Sequence, residues 1–261
     1  MSMREMVRRV GGLFNYLRVM RARRRRLDRG PPGPYSSSID TGKTRARFLA
    51  ALLAATLALG AGATAAVRVD NWESYPPGTL DLAGVWRPYP SEQKFKHAPA
   101  IVLDGKRPAL SLRTENEAMR IGRPVKVDPR ETPWLQWEWK AVVLPDGGDV
   151  RDPKRNDQAG RVMVMFEGLK SLLYVWDTTA PVGAESRSDG FDIYQRALIV
   201  VRSGPEHVGQ WDRQRRNVYE DYRRVFDAEP RGIKWVGLET HSNDTRTRTA
   251  VLFGGVRFES R

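Results

Sequence analysis

Leu135-Gln136-Trp137-Glu138-Trp139-Lys140-Ala141-Val142-Val143 is the stretch that decides how this chain folds. Leu135, Trp137 and Trp139 alternate with Gln136, Glu138 and Lys140, so a period of two places one set on each face of a strand. A helix would keep Leu135 and Trp139 on one face but turn Trp137 to the opposite side. Arg161-Val162-Met163-Val164-Met165-Phe166-Glu167 repeats the theme, with Val162, Val164 and Phe166 opposing Arg161, Met163, Met165 and Glu167. Outward from these two stretches lie further short apolar runs at 100–103, 109–113, 119–122, 172–177, 197–202, 234–240 and 251–258, separated by segments that carry Gly, Pro, Asp or Asn. Seventeen Pro and 23 Gly among 261 residues supply the turns that so many short strands need. The expectation is an all-β domain over residues 66–261, a single jelly-roll-like β-sandwich.

One segment breaks the strand pattern. Asn217-Val218-Tyr219-Glu220 has the spacing of a capping box, and Val218, Tyr222, Val225 and Phe226 fall on one helical face. One short helix is therefore expected beside the sheets, with Glu220 and Arg224 paired on its solvent side.

The chain carries a formal net charge of +13, which invites a nucleic-acid reading until the charges are located. Residues 1–47 hold 13 Lys and Arg against Glu5, Asp28 and Asp40, whereas 48–261 is nearly balanced, at 31 basic to 28 acidic. No nucleic-acid partner is expected of such a body. Lys43, Arg45 and Arg47 precede twenty uncharged residues, 48–67, rich in Leu and Ala, and Ala63-Thr64-Ala65 fits a small-residue cleavage site. Residues 48–65 thus read as the apolar and cleavage regions of a signal peptide, or alternatively as a membrane anchor. Export to the periplasm is expected, with membrane contact only through this segment if it stays uncut. Residues 1–47, with Arg21, Arg23–Arg26 and the Pro/Gly/Ser-rich stretch 30–38, read as a basic disordered extension. The absence of Cys excludes disulfides, thiolate metal sites and a cysteine nucleophile.

Five short motifs in order carry a resemblance: Trp137-Glu138-Trp139-Lys140; Asp157-Gln158-Ala159-Gly160-Arg161-Val162; Leu173-Tyr174-Val175-Trp176-Asp177; Arg216-Asn217-Val218 with Asp221-Tyr222-Arg223; and Asn243-Asp244-Thr245 before Phe253–Phe258. Over residues 72–258 the chain resembles an uncharacterised family of exported bacterial proteins known as a domain of unknown function. The resemblance implies an exported location and no particular chemistry.

The residues themselves suggest where chemistry could lie. Sugars stack their C–H faces on aromatic rings and pair their hydroxyls with acids, amides and arginine. Tyr174 and Trp176 share one strand face beside Asp177, and Trp211 lies in a loop-like stretch, the aromatic expected to be most exposed. Glu138, Lys140, Arg161 and Glu167 could line one polar surface with carboxylates for acid–base work. The expected ligand-binding residues are therefore Glu138, Arg161, Tyr174, Trp176, Asp177 and Trp211. Asp146, Asp149, Asp152 and Asp157 gather oxygen atoms of the kind calcium takes, though interleaved with Arg151, Lys154 and Arg155 and without EF-hand spacing. No Gly-x-Ser-x-Gly elbow, phosphate-binding Gly-Lys-Ser/Thr loop or His-Glu-x-x-His helix is present.

The reading that follows is an exported sandwich that binds a glycan or another envelope component without transforming it. Two alternatives stand beside it. One is a carbohydrate-active hydrolase or lyase using Glu138 with Asp157, Asp177 or Asp221; the other is a structural or interaction protein of the cell envelope.

Overall fold

A computed structural model of the chain describes residues 65–89, 93–188 and 194–261. The expected basic extension over 1–47 and nearly all of the signal-like segment over 48–65 lie outside the described residues. Among those described, no helix is long and apolar enough to cross a membrane.

Two seven-stranded sheets form the sandwich. The first runs β12 (Asp212–Asn217), β7 (Trp134–Val143), β14 (Arg248–Glu259), β5 (Arg107–Glu115), β4 (Ala100–Asp104), β2 (Gly78–Thr79), and β1 (Ala66–Asp70) pairs with the far half of β14. The second runs β10 (Glu185–Ser188), β11 (Gln195–Ser203), β9 (Lys170–Asp177), β8 (Gly160–Phe166), β13 (Ile233–His241), β6 (Ala118–Val127), β3 (Arg87–Pro88). Every pairing is antiparallel except β9 with β11. The short apolar runs read from the sequence fall in β4 to β9, β11, β13 and β14. Strands β1, β10 and β12 were not anticipated, because each is short and polar on at least one face.

The alternation in β7 does what its period requires. Leu135, Trp137, Trp139 and Ala141 are buried between the sheets, facing Val162, Val164 and Phe166 of β8 and Leu172, Tyr174 and Trp176 of β9. Trp137 stacks on Tyr174 with ring centroids 5.3 Å apart, and Trp139 meets Trp176 at 5.8 Å. Such pairs add about 1 kcal/mol each beyond the burial of their surface.

The second sheet departs from a half-solvated pattern. Met163, Met165, Leu173, Val175, Leu198 and Val200 point away from the main core and yet are buried, under Val150 and Ala180 from the loops after β7 and β9. All seven residues of β8 are consequently buried.

Helix α1 (Val218–Phe226) starts where the capping box put it. Asn217 Oδ1 accepts from Glu220 N at 3.1 Å, and Asp227, in the left-handed conformation, ends the helix. The expected Glu220–Arg224 pair is replaced. Arg224 turns to Glu185 on β10 at 2.5 Å, and Arg223 lies 3.7 Å from Glu220.

Candidate functional site

The sandwich separates the residues that the sequence grouped. Glu138 and Lys140 lie on the outer face of the first sheet, Tyr174 and Trp176 lie in the core, and Arg161 and Asp177 lie on the outer face of the second sheet. The single polar surface expected of Glu138, Lys140 and Arg161 does not form, because the two sheets stand between them.

Tyr174 and Trp176 are wholly buried, so neither offers a face to a ligand. Their polar atoms are satisfied inside: Tyr174 Oη donates to Asp221 Oδ2 at 2.9 Å and Trp176 Nε1 to Gly204 O at 3.2 Å. Asp177 accepts from the backbone N–H groups of Val150, Thr179 and Ala180, at 2.7–2.9 Å, and so anchors two loops. Burial raises its pKa and those three N–H groups oppose the shift.

Trp211 is half-buried on the first sheet. Its Nε1 donates to Asp104 Oδ2 at 2.6 Å, the Arg107 guanidinium lies 3.9 Å above its ring, and Lys140 Nζ shares Asp104 at 2.7 Å. Glu138 is held between Arg107 and Arg213. Arg107 thus covers one face of the Trp211 ring. The cluster also removes the proposed partnership of Glu138 with Asp157, Asp177 or Asp221, none of which shares its side of the molecule.

The four Asp residues weighed for calcium are drawn to separate partners. Asp149 is held by Arg151 at 2.6 Å and Thr179 at 2.9 Å, Asp152 by Arg155 at 2.9 Å, and Asp157 Oδ2 by the N–H and hydroxyl of Thr245 at 2.7 and 2.8 Å. Asp146 contributes a backbone N–H to Thr247 Oγ1 at 3.3 Å. Arg151 holds the Asp149 carboxyl well below its usual range. Among the described residues no three His, Cys, Asp or Glu side chains converge as metal ligands.

A different cluster forms on the outer face of the second sheet. Register aligns Arg120, Glu239 and Arg161 across β6, β13 and β8, and the neighbouring row aligns Gly122, Gly237 and Met163. One further pair along β13 stands Trp235, beside Met165. Gly122 leaves room for the Trp235 indole to lie back over β6: a Cβ there would sit 2.7 Å from Trp235 Cε2. Tyr89 is placed beside it because its N–H continues the pairing of β3, donating to Arg120 O at 3.0 Å. The two half-buried rings have centroids 6.2 Å apart. Trp235 Nε1 is buried without a partner among the described residues.

Leu173 and Leu198, from the apolar cluster on which both rings pack, help to line a cavity of about 270 Å³ together with Arg120, Asn156, Arg161, Arg196, His241, Asn243 and Asp244, although neither ring lines it itself. His241 is a buried part of the cavity lining and Glu239 is buried next to it, with His241 Nε2 and Glu239 Oε2 3.1 Å apart. Arg120 Nε lies 3.1 Å from the same nitrogen and 3.5 Å from Glu239 Oε2. One imidazole nitrogen cannot both accept from the Arg120 Nε–H and donate to Glu239, so a neutral His241 makes one of these two bonds at a time. Burial and then Arg161 lower the His241 pKa to about 3. Burial alone would raise Glu239, but His241, Arg120 and Arg161 outweigh it and bring its carboxyl down to about 2. At the rim, burial and the nearby Asp157 push Asp244 up.

Of the expected residues, only Arg161 lines this cavity. Arg120, Trp235, Glu239 and His241 were missed, although Trp235-Val236-Gly237-Leu238-Glu239-Thr240-His241 places two titratable groups and an indole on one face of an otherwise apolar strand.

Among curated protein sequences none matches the chain. Several solved structures are similar in fold. One is the xyloglucanase domain of NopAA from Sinorhizobium fredii, 8% identical, covering 70% of this chain and 98% of its own, with a TM-score of 0.43. Another is endoglucanase cel12A from Rhodothermus marinus, also 8% identical, covering 75% and 100% with the same score. A family 11 carbohydrate-binding module from Clostridium thermocellum, 11% identical, covers 70% and 94% with a TM-score of 0.35. A family model, by contrast, matches residues 85–257, most of the sandwich, and the chain therefore belongs to the family described as protein of unknown function DUF3047.

Proposed function

We propose that the sandwich binds a saccharide over its second sheet and does not cleave it. The carrying observation is the half-buried Tyr89–Trp235 pair, packed on the apolar cluster that helps to line a cavity furnished with arginine, amide and carboxyl groups. Sugar rings need an apolar face to stack on and, at its edge, alternating donors and acceptors for hydroxyls that do both. Asn156, Asn243 and Asp244 supply acceptors; Arg161 and Arg196 supply donors. Binding without cleavage is the reading taken because Glu239 is buried and engaged by His241 and Arg120, so its carboxylate is not presented to a ligand.

Titration of the full chain with neutral and acidic oligosaccharides by calorimetry tests the reading. Tyr89→Ala and Trp235→Ala should each weaken binding about tenfold, or by about 1.4 kcal/mol. Full affinity in both variants would defeat it.

A hydrolase or lyase is the second reading. One observation favours it: the same environment pushes Asp244 up and Glu239 down, the divergence that acid–base pairs display. Release of reducing ends from a polysaccharide panel, abolished in Asp244→Asn, would decide for it. Export to the periplasm belongs to the same proposal and rests on residues 43–66. N-terminal sequencing of protein recovered from a periplasmic extract would place the cut after Ala65, or find it absent if the segment is an anchor. A scaffolding role in the envelope is the third reading, and it needs an apolar patch. Large exposed apolar side chains among the described residues are Val85, Leu103, Val142 and Val182.

A further inference from the structure

Arg161 is an expensive residue to place where it stands. Its side chain is 5% exposed, and burying a guanidinium costs several kcal/mol unless its donors are used. Nη2 donates to Asn156 O at 2.6 Å and Nη1 lies 3.8 Å from Glu239 Oε2. Nε, equally buried, has no partner among the described residues. The Nε atoms of Arg123 and Arg202 are unpartnered in the same way, and what sets Arg161 apart is its near-complete burial in the wall of a cavity.

The charges around it are unevenly arranged. Arg120, Arg161 and Arg196 are matched in the wider neighbourhood by Glu239, Asp157 and Asp244, so the region carries no large net field. The matching acids, however, lie mostly below the surface. Glu239 and Asp157 are at most 2% exposed, the first engaged by His241 and Arg120 and the second by Thr245. Among the described residues, the cavity wall itself shows three arginines and a single carboxyl, that of Asp244. Arg196 has no ion-pair partner among the described residues.

We propose that the ligand of this cleft is an acidic saccharide whose carboxylate groups are taken by Arg161 and Arg196. The proposal rests on the reading of the cleft as a saccharide site and narrows it to a chemical class. Guanidinium is suited to the task, since its planar fork matches a carboxylate and its weak hydration makes it the cation most easily met inside a cleft. The Tyr89–Trp235 pair would take the C–H face of the same or a neighbouring ring.

The experiment compares uronate oligomers (galacturonate, glucuronate and mannuronate) with the same oligomers after carboxyl reduction, titrated calorimetrically into the full 261-residue chain. At least one uronate should bind about tenfold more tightly than its reduced form, and most of that advantage should vanish in 1 M salt. Arg196→Gln, on a more accessible side chain, should abolish most of the preference while leaving the melting temperature unchanged. Arg161→Gln should do the same if it folds, and Arg196→Gln carries the test if it does not. Equal affinity for acidic and reduced forms would overturn this proposal and leave saccharide binding standing. A sulfated saccharide bound in preference to every uronate would overturn it too. Silence across all oligomers, neutral ones included, would remove both this proposal and the reading beneath it.

Discussion

Tyr174 and Asp221 meet inside the sandwich, the tyrosine hydroxyl donating to Asp221 Oδ2 at 2.9 Å. Arg216 grips the same carboxylate through Nε at 3.0 Å and Nη2 at 2.6 Å. The three residues come from β9, α1 and the end of β12, so the bond ties the helix to both sheets. Burial and then Asp221 raise the Tyr174 pKa well above its usual value, which keeps the hydroxyl a donor at any ordinary pH. Tyr174→Phe should cost about 1–2 kcal/mol, the price of leaving Asp221 one donor short. Asp221→Ala should cost more, about 3 kcal/mol, because it strands Arg216 as well. Urea unfolding measures both, and saccharide affinity should not change in Tyr174→Phe. An unaltered midpoint for Tyr174→Phe would mean the buried bond contributes nothing.

The same pair shows what the sequence could and could not disclose. The period of two in Leu135–Val143 and in Leu172–Asp177 correctly gave strands and correctly put Tyr174 with Trp176. It gave no sign of which face was covered. Tyr and Trp serve equally as stacking platforms and as core, and here Asp221 and Gly204 O satisfy their polar tips from within. Arg161 was legible as the odd polar residue in an apolar strand. Its companions were not, because Arg120 and Glu239 reach it only through the pairing of β6, β13 and β8, which local spacing does not encode. Gly122 is mute until the pairing of β6 with β13 sets it under the Trp235 indole.

Acid should destabilise the fold in two stages. A neutral histidine buried with a pKa of about 3 stays unprotonated in the native state while the unfolded chain takes up its proton near pH 6.5. The unfolded state therefore binds more protons below that pH, and stability falls as pH falls, by at most about 1.4 kcal/mol per unit from this one group. Glu239, at about 2 when folded, adds a loss of the same sign once pH drops below about 4.5. Unfolding free energies between pH 7.5 and 4 should show the slope, and His241→Gln should flatten its upper part. A wild-type curve level from pH 7 to 5 would contradict the buried, neutral imidazole.

Trp211 should prove structural. Its indole is bonded to Asp104 and covered by Arg107, and Lys140 completes the cluster. Trp211→Phe keeps a ring under Arg107 and removes one hydrogen bond to a charged acceptor, a loss of about 1–2 kcal/mol in stability. Trp211→Ala removes the ring as well and should cost about 2–4 kcal/mol. Neither should alter saccharide affinity, since the site lies on the other sheet. A drop in affinity with unchanged stability would return Trp211 to the ligand.

Gly122 and Gly237 are where fold and site meet most directly. A methyl group at Gly122 would lie 2.7 Å from Trp235 Cε2 and 2.8 Å from Val236 O; at Gly237 it would lie 2.8 Å from Met163 Cε. The two contacts differ in what can yield. Met163 is flexible at its end and can swing aside, so Gly237→Ala should cost about 1 kcal/mol and leave binding intact. At Gly122 one neighbour is backbone and the other a rigid ring already wedged beside Tyr89. Gly122→Ala must push the indole off β6, at about 1–3 kcal/mol, and so dismantle the stacking wall. Trp235 fluorescence should move towards the emission of an exposed indole, and saccharide affinity should fall with it. Binding that survives an indole so displaced would show that the arginine floor, not the aromatic wall, holds the ligand.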